Sequence, residues 1–309
     1  KNIKNFQNLM DKIKSSLKNL RDFFFEDDLS KFLSQNISSN LCVDIGAAKF
    51  EHIQWRTFLL SKHTEWIAVD PNKADLKYLD TWRWNAKLNI EPIALSKNGG
   101  LMDFYTTNVP TGSSLKKIKI DESMKNRIDE KYFFPVKKTK IKTLSAKDLL
   151  KKYWIPEMDI FLKIDIQGYG LDILESLKEL IEKNIVLGIE IESSLYAKPV
   201  YENSSKFSEI SHFLEQFGYE LINLNVINLK KNTNKNNYLP NECDSVFSLQ
   251  QNNFRNKNLS SKINQLCFYN CYKMYDELRN FYIGNQDIQK EFEKFNKKKL
   301  FEKLLEKKL

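Results

Sequence analysis

The sequence predicts an α/β protein: a Rossmann-like, doubly wound and mostly parallel sheet with helical extensions at both ends. Three observations predict it. Short apolar runs, Leu41–Gly46, Trp66–Asp70 and Asp159–Ile166, end in Asp or Gly or carry an Asp near their end, as buried parallel strands entering turns do. Helix-patterned segments alternate with them, the rhythm of βαβ units. Polar helical stretches flank this part, so residues 1–39 and 251–309 read as extensions and 40–250 as the sheet domain.

The elements follow in order. Ile3, Phe6, Met10, Ile13, Leu17 and Leu20 recur at helix spacing, and the lysines among them do not suit a secretion signal. After the first strand, helices are expected over Glu51–Ser61 and Lys73–Leu88, with a third strand over Ile90–Leu95. Leu101–Thr106 and Val136–Thr143 read as strands, the second with a solvated face of lysines. The polar stretch Thr107–Tyr132 between them is long enough to be a substrate lid or binding loop. Then come a helix over Leu171–Glu182, a strand over Val186–Glu192, a helix over Phe207–Phe217, and strands over Tyr219–Asn225 and Ser245–Leu249. No internal repeat is visible.

Composition narrows the classes. The chain has 309 residues, 41% of them apolar and 13% aromatic, which excludes wholesale disorder. It has no apolar run of spanning length. The net charge of +9 attracts anionic partners without choosing among them. Cys42, Cys243, Cys267 and Cys271 lack histidines at metal-ligand spacing, so no metal site is expected; they read as reduced thiols of a cytoplasmic protein. Among many lysines, Phe295, Leu300, Phe301, Leu304 and Leu305 make the C-terminal helix a candidate contact for the inner membrane surface or a partner. The helical termini are a candidate route to a homo-oligomer.

Three strand ends carry chemistry. Ligands of open α/β sheets sit beyond the carboxyl ends of the strands, near the switch point. Asp44-Ile45-Gly46-Ala47 ends the first strand, where Gly46 allows a tight turn and a close ligand. Asp70 ends the second, 26 residues on, where a carboxylate can accept from two ribose hydroxyls; Pro71 and Asn72 fix the turn beside it. Ala94 and Leu95 can flank an adenine ring. No G-x-G-x-x-G is present, so a dinucleotide is not indicated. A ligand with a ribose and a sulfonium fits better.

These segments, with Asp103-Phe104-Tyr105, Gly112-Ser113-Ser114-Leu115, Lys163-Ile164-Asp165-Ile166-Gln167-Gly168 and Ile189-Glu190-Ile191-Glu192, resemble FkbM-type methyltransferases over about residues 40–250. The resemblance implies methyl transfer from S-adenosylmethionine to oxygen, often on sugars, polyketides or glycans. Two departures stand out. Ala48-Lys49-Phe50 replaces a segment in which the family reaches a second Gly, so Phe50 is expected to crowd the cofactor's methionine end. Tyr169 and Gly170 follow Gly168 where the family carries a small residue and Glu.

A sugar hydroxyl is a weak nucleophile at neutral pH, so a base near it is expected. Asp165 is the first candidate and Glu192 the second; capping of the next turn is the alternative for Asp165. Ser113, Ser114, Gln167 and Glu190 are candidate substrate contacts. Ser113 and Ser114 can instead shape their loop, and Glu190 can instead pair with Lys163. The expected partner is a sugar, nucleotide sugar or glycan; no recognised motif indicates nucleic acid. Two alternative readings are a nucleic-acid methyltransferase and a degenerate fold serving as a scaffold.

Overall fold

The computed structural model describes residues 28–48, 53–119, 134–195, 199–230 and 238–308. A seven-stranded sheet forms the centre, built from β1 (Asn40–Ile45), β2 (Thr64–Val69), β3 (Lys87–Glu91), β7 (Asp159–Ile164), β8 (Val186–Ser194), β9 (Tyr219–Lys230) and β10 (Tyr238–Leu249). Its order is β3-β2-β1-β7-β8-β10-β9. The first five are parallel; β10 runs antiparallel to both β8 and β9. The chain steps outward from β1 to β3, then returns to lay β7 on the other side of β1. That reversal is the switch point, and the crevice opens there. A smaller sheet, β4 (Ala94–Ser96), β6 (Pro135–Ser145) and β5 (Gly100–Thr107), carries one wall of the crevice.

The central strands are buried along their whole length, as strands covered on both faces must be. Helices Asp28–Ser34, Arg56–Leu59 and Leu259–Cys271 pack together on one face. Phe161 of β7 stacks on Phe268 with ring centroids 5.2 Å apart and meets Phe58 at 4.6 Å. A Cβ on Gly188 of β8 would lie 2.4 Å from the Phe268 ring, so only glycine lets this helix approach so closely. At the foot of β7, Asp159 accepts from Ser261 Oγ and Asn264 Nδ2, both at 2.8 Å, which ties the helix to the sheet. Helices Gly170–Ser176 and Phe207–Glu215 cover the opposite face.

The C-terminal helices share one hydrophobic core with the sheet and with helix Asp28–Ser34. Phe32, Tyr282, Phe292 and Phe301 interlock there. Phe301, Leu304 and Leu305 are buried against the chain itself, and only Phe295 and Leu300 of the expected apolar stripe stay exposed. Among the described residues, no helix is long and apolar enough to cross a membrane. The helical pattern over residues 1–27 lies outside the described residues.

Several expectations need correction. The helix expected over Lys73–Leu88 is instead a set of turns with a 3-10 segment, Lys77–Thr81. Asn72 holds this stretch in turns: its side chain accepts from Ala74 N and donates to Asp75. The third strand divides at Pro92, which has no N–H for a ladder. Lys87–Glu91 joins the main sheet, and Ala94–Ser96 crosses to the small one. Of the expected Glu51–Ser61 helix, the described residues form a 3-10 turn and one helical turn, and Leu171–Glu182 is two short helices. Helix Ala146–Tyr153 was not expected at all.

Candidate active site at the strand ends

Register places charge beside charge. Asp44 of β1 pairs with Lys163 of β7, which pairs with Glu190 of β8, so the three side chains share one face of the sheet. Two residues further along, Gly46, Asp165 and Glu192 continue those strands on the same face. Asp244 of β10 lies opposite Glu192. Two polar rows thus cross the sheet, one buried and one at the strand tips.

The lower row is sealed. Asp44 is 1% exposed, and its Oδ1 lies 3.7 Å from Lys163 Nζ. The same ammonium lies 3.5 Å from Asp165 Oδ2. Burial works to lower the Lys163 proton affinity, but Asp165, Asp44, Glu190 and Glu192 outweigh it and hold the ammonium above the ordinary lysine range. Glu190 does not close on Lys163. Its Oε2 accepts from Trp55 Nε1 at 3.0 Å and from the Tyr272 hydroxyl, pinning the end of helix Leu259–Cys271.

At Gly46 and Asp165 the upper row opens into a cavity of about 630 Å³, within the range of small-molecule sites. Gly46, Asp70, Pro71, Asn72, Asp165 and Gln167 line its strand-end floor. Ile93, Ala94 and Leu95 form an apolar shelf, and Phe104, Thr139 and Ile141 of the small sheet face them. Gly46 turns with φ +92°, and its N–H donates to Val69 O at 2.9 Å. A Cβ there would lie 1.8 Å from the Asp165 carbonyl oxygen. The glycine is therefore required by the neighbouring strand end, as well as by the turn.

Asp70 Oδ1 accepts from Asn72 N at 2.7 Å, which leaves Oδ2 for a ribose hydroxyl. Burial, with Asp75, Asp44 and Asp165 nearby, pushes its carboxyl up to about 6 against the lowering effect of the Asn72 N–H. Beyond β7 the chain turns through Gln167 and Gly168, both at positive φ. Ser114 Oγ donates to Gln167 O at 2.7 Å, and the Tyr201 hydroxyl lies 2.9 Å from Gln167 Oε1. Gln167 Nε2 in turn donates to Asp165 Oδ1 at 3.2 Å. Burial raises Glu192 well above the carboxylate range; Asp165, Glu242 and Asp244 add to this and Lys163 opposes it. Asp244 is raised too, by burial first.

The structure thus brings most of the expected site residues to one hollow and moves others. Asp44 and Ala47 are buried beneath the floor and do not line the cavity. Ser113 and Ser114 line it, but Ser113 Oγ holds Thr107 N, and Ser114 Oγ bridges Gln167 O and Lys116 N. Glu190 belongs to the helix interface, and neither it nor Glu192, the second expected base, lines the cavity. Gly170 begins a helix against β8, where a Cβ would meet Ile191 Cδ1 at 2.7 Å; a glutamate there would displace that contact. Phe50 lies outside the described residues. Three contributors went unforeseen. Lys163 was signalled by being a charge inside an apolar strand, and the β6 wall by its alternation; Tyr201 left no sequence signal. Among the described residues, no three His, Cys, Asp or Glu side chains gather as a metal site.

These residues fit S-adenosylmethionine. Asp70 can take the ribose, the Ile93–Leu95 shelf can take adenine, and the acidic floor suits a sulfonium. The fold and this hollow define a Rossmann-like S-adenosylmethionine-dependent methyltransferase. The family description "Methyltransferase FkbM domain" matches residues 44–221, more than half of the chain, and the protein belongs to that family. No curated protein matches. Among solved structures, a precorrin-6y C5,15-methyltransferase from Geobacter metallireducens is 11% identical over 72% of this chain and 86% of its own, with a TM-score of 0.35. A 1,6-didemethyltoxoflavin-N1-methyltransferase from Burkholderia thailandensis, solved with S-adenosylhomocysteine, is 10% identical over 80% and 90%, with a TM-score of 0.31. A small RNA methyltransferase is 7% identical over 72% of this chain and 25% of its own, with a TM-score of 0.33.

Proposed function

We propose that the enzyme methylates a hydroxyl oxygen of a sugar or surface glycan, with Asp165 as the base. The observation that carries this reading is the position of Asp165, 38% exposed at the tip of β7 and lining the cavity that Asp70 also lines. S-adenosylmethionine supplies an electrophilic methyl carbon with a neutral thioether as leaving group. The chain's residues then have three tasks. Asp70 and the Ile93–Leu95 shelf orient the donor, which supplies much of the rate enhancement in a displacement between two bound partners. Gln167, tied to Asp165 and to Tyr201, fixes the carboxylate's direction. Asp165 accepts the hydroxyl proton as the oxygen–methyl bond forms and the sulfur–methyl bond breaks.

The test supplies methyl-tritiated S-adenosylmethionine to the purified protein with isolated cell-surface polysaccharide and, separately, with total RNA. Label is expected in the polysaccharide, and Asp165→Asn is expected to abolish it. Label only in RNA would overturn the acceptor class.

A further inference from the structure

Lys163 is the cation that faces the floor from beneath, 95% buried within β7. The acidic groups around it come from each packed strand: Asp44 from β1, Asp165 from the end of β7, and Glu190 and Glu192 from β8. Its nearest carboxylate oxygens lie at 3.5 Å and 3.7 Å, close enough for ion pairing. Asp44 does not reach the cavity and Lys163 does not line it, so neither has a direct contact to offer a ligand. What they can offer is charge from within the protein, where Coulomb interactions are less screened than in water.

We propose that Lys163 and Asp44 together set the charge beneath the cofactor cavity, and so set how strongly the cavity favours a sulfonium over a neutral thioether. S-adenosylmethionine carries one more positive charge than S-adenosylhomocysteine, and it lies at sulfur. An uncompensated pair of carboxylates would hold the charged donor too well and make the floor costly to keep ionised. Lys163 cancels one of them. The neutral product then loses less in comparison, and discrimination depends on Asp165 and Asp70 at the surface of the floor. This inference rests on the cofactor occupying this cavity.

Calorimetric dissociation constants for S-adenosylmethionine and S-adenosylhomocysteine test it. In Lys163→Met the ratio of the two should move at least about threefold toward the sulfonium; in Asp44→Asn it should move at least about threefold the other way. Asp44→Asn/Lys163→Met, which removes both charges, should return the ratio to within about twofold of the parent. A purely structural role would shift both ligands together and leave the ratio unchanged in the single variants, which overturns the proposal. If Lys163→Met does not fold, Asp44→Asn and the double variant carry the same test. Parent protein that binds neither ligand would overturn the cofactor reading, and this proposal with it.

Discussion

Gly46 and Asp165 meet at the switch point of the sheet: the Asp165 N–H donates to Ile45 O at 2.8 Å, and the Asp165 carbonyl oxygen occupies the space a Gly46 side chain would need. The strand that turns under the cofactor thus sets where the proposed base stands. Gly46→Ala combines a positive φ with a backbone overlap. It should cost at least about 2 kcal/mol of stability, read by denaturant melts. It should also weaken both S-adenosylmethionine binding and turnover, because the Asp165 backbone must move.

Asp70 connects cofactor binding to pH. Its carboxyl is pushed up to about 6 in the fold, chiefly by burial, against about 4 in an unfolded chain. Between those values the folded state holds the extra proton. This group's contribution to stability is therefore complete below about 4 and is lost as pH rises through about 6. Cofactor binding needs the ionised form if the carboxylate accepts from ribose. Affinity should fall about tenfold from pH 7 to pH 5 in the parent and stay flat in Asp70→Asn, measured by calorimetry. Asp70→Ala should cost about 1–3 kcal/mol of binding at pH 7.5.

Helix Leu259–Cys271 is held at the foot of β7 by a buried carboxylate. Burial raises the Asp159 proton affinity, and the hydrogen bonds from Ser261 and Asn264 oppose that rise. Asp159→Ala strands both donors inside the protein. A loss of about 2–4 kcal/mol is expected in thermal or denaturant unfolding, with cofactor affinity little changed. Equal losses in stability and affinity would instead mean that the helix shapes the cavity.

The alternation of apolar strands and helices was legible because buried parallel strands leave a strong pattern, as in Leu41–Ile45 and Ile160–Ile164. Asp70 and Asp165 were legible because strand ends at a switch point are where polar residues gather. The small sheet was not. Ile90–Leu95 reads as one strand, and only the missing N–H of Pro92 hints that Ala94–Ser96 pairs elsewhere. Helix Ala146–Tyr153 was overlooked although Ser145 Oγ caps it through Asp148 N, a signal present in the residue types. Asp44 was placed at the ligand because a carboxylate at a strand end looks available. Its burial follows from pairing with Lys163 across two strands, which local sequence does not display.

Asp165 and Glu192 stand side by side yet should behave oppositely. Glu192 does not line the cavity, and burial with the acids around it raises its carboxyl well above its ordinary range. Asp165 lies 3.5 Å from the Lys163 ammonium and opens to the cavity, where a carboxylate can take a proton from the acceptor hydroxyl. Asparagine cannot do this. Turnover measured with tritiated S-adenosylmethionine and polysaccharide should fall at least about 100-fold in Asp165→Asn, with cofactor affinity changing less than about fivefold. In Glu192→Gln it should fall much less. A large loss in Glu192→Gln at neutral pH, with Asp165→Asn active, would exchange the two roles.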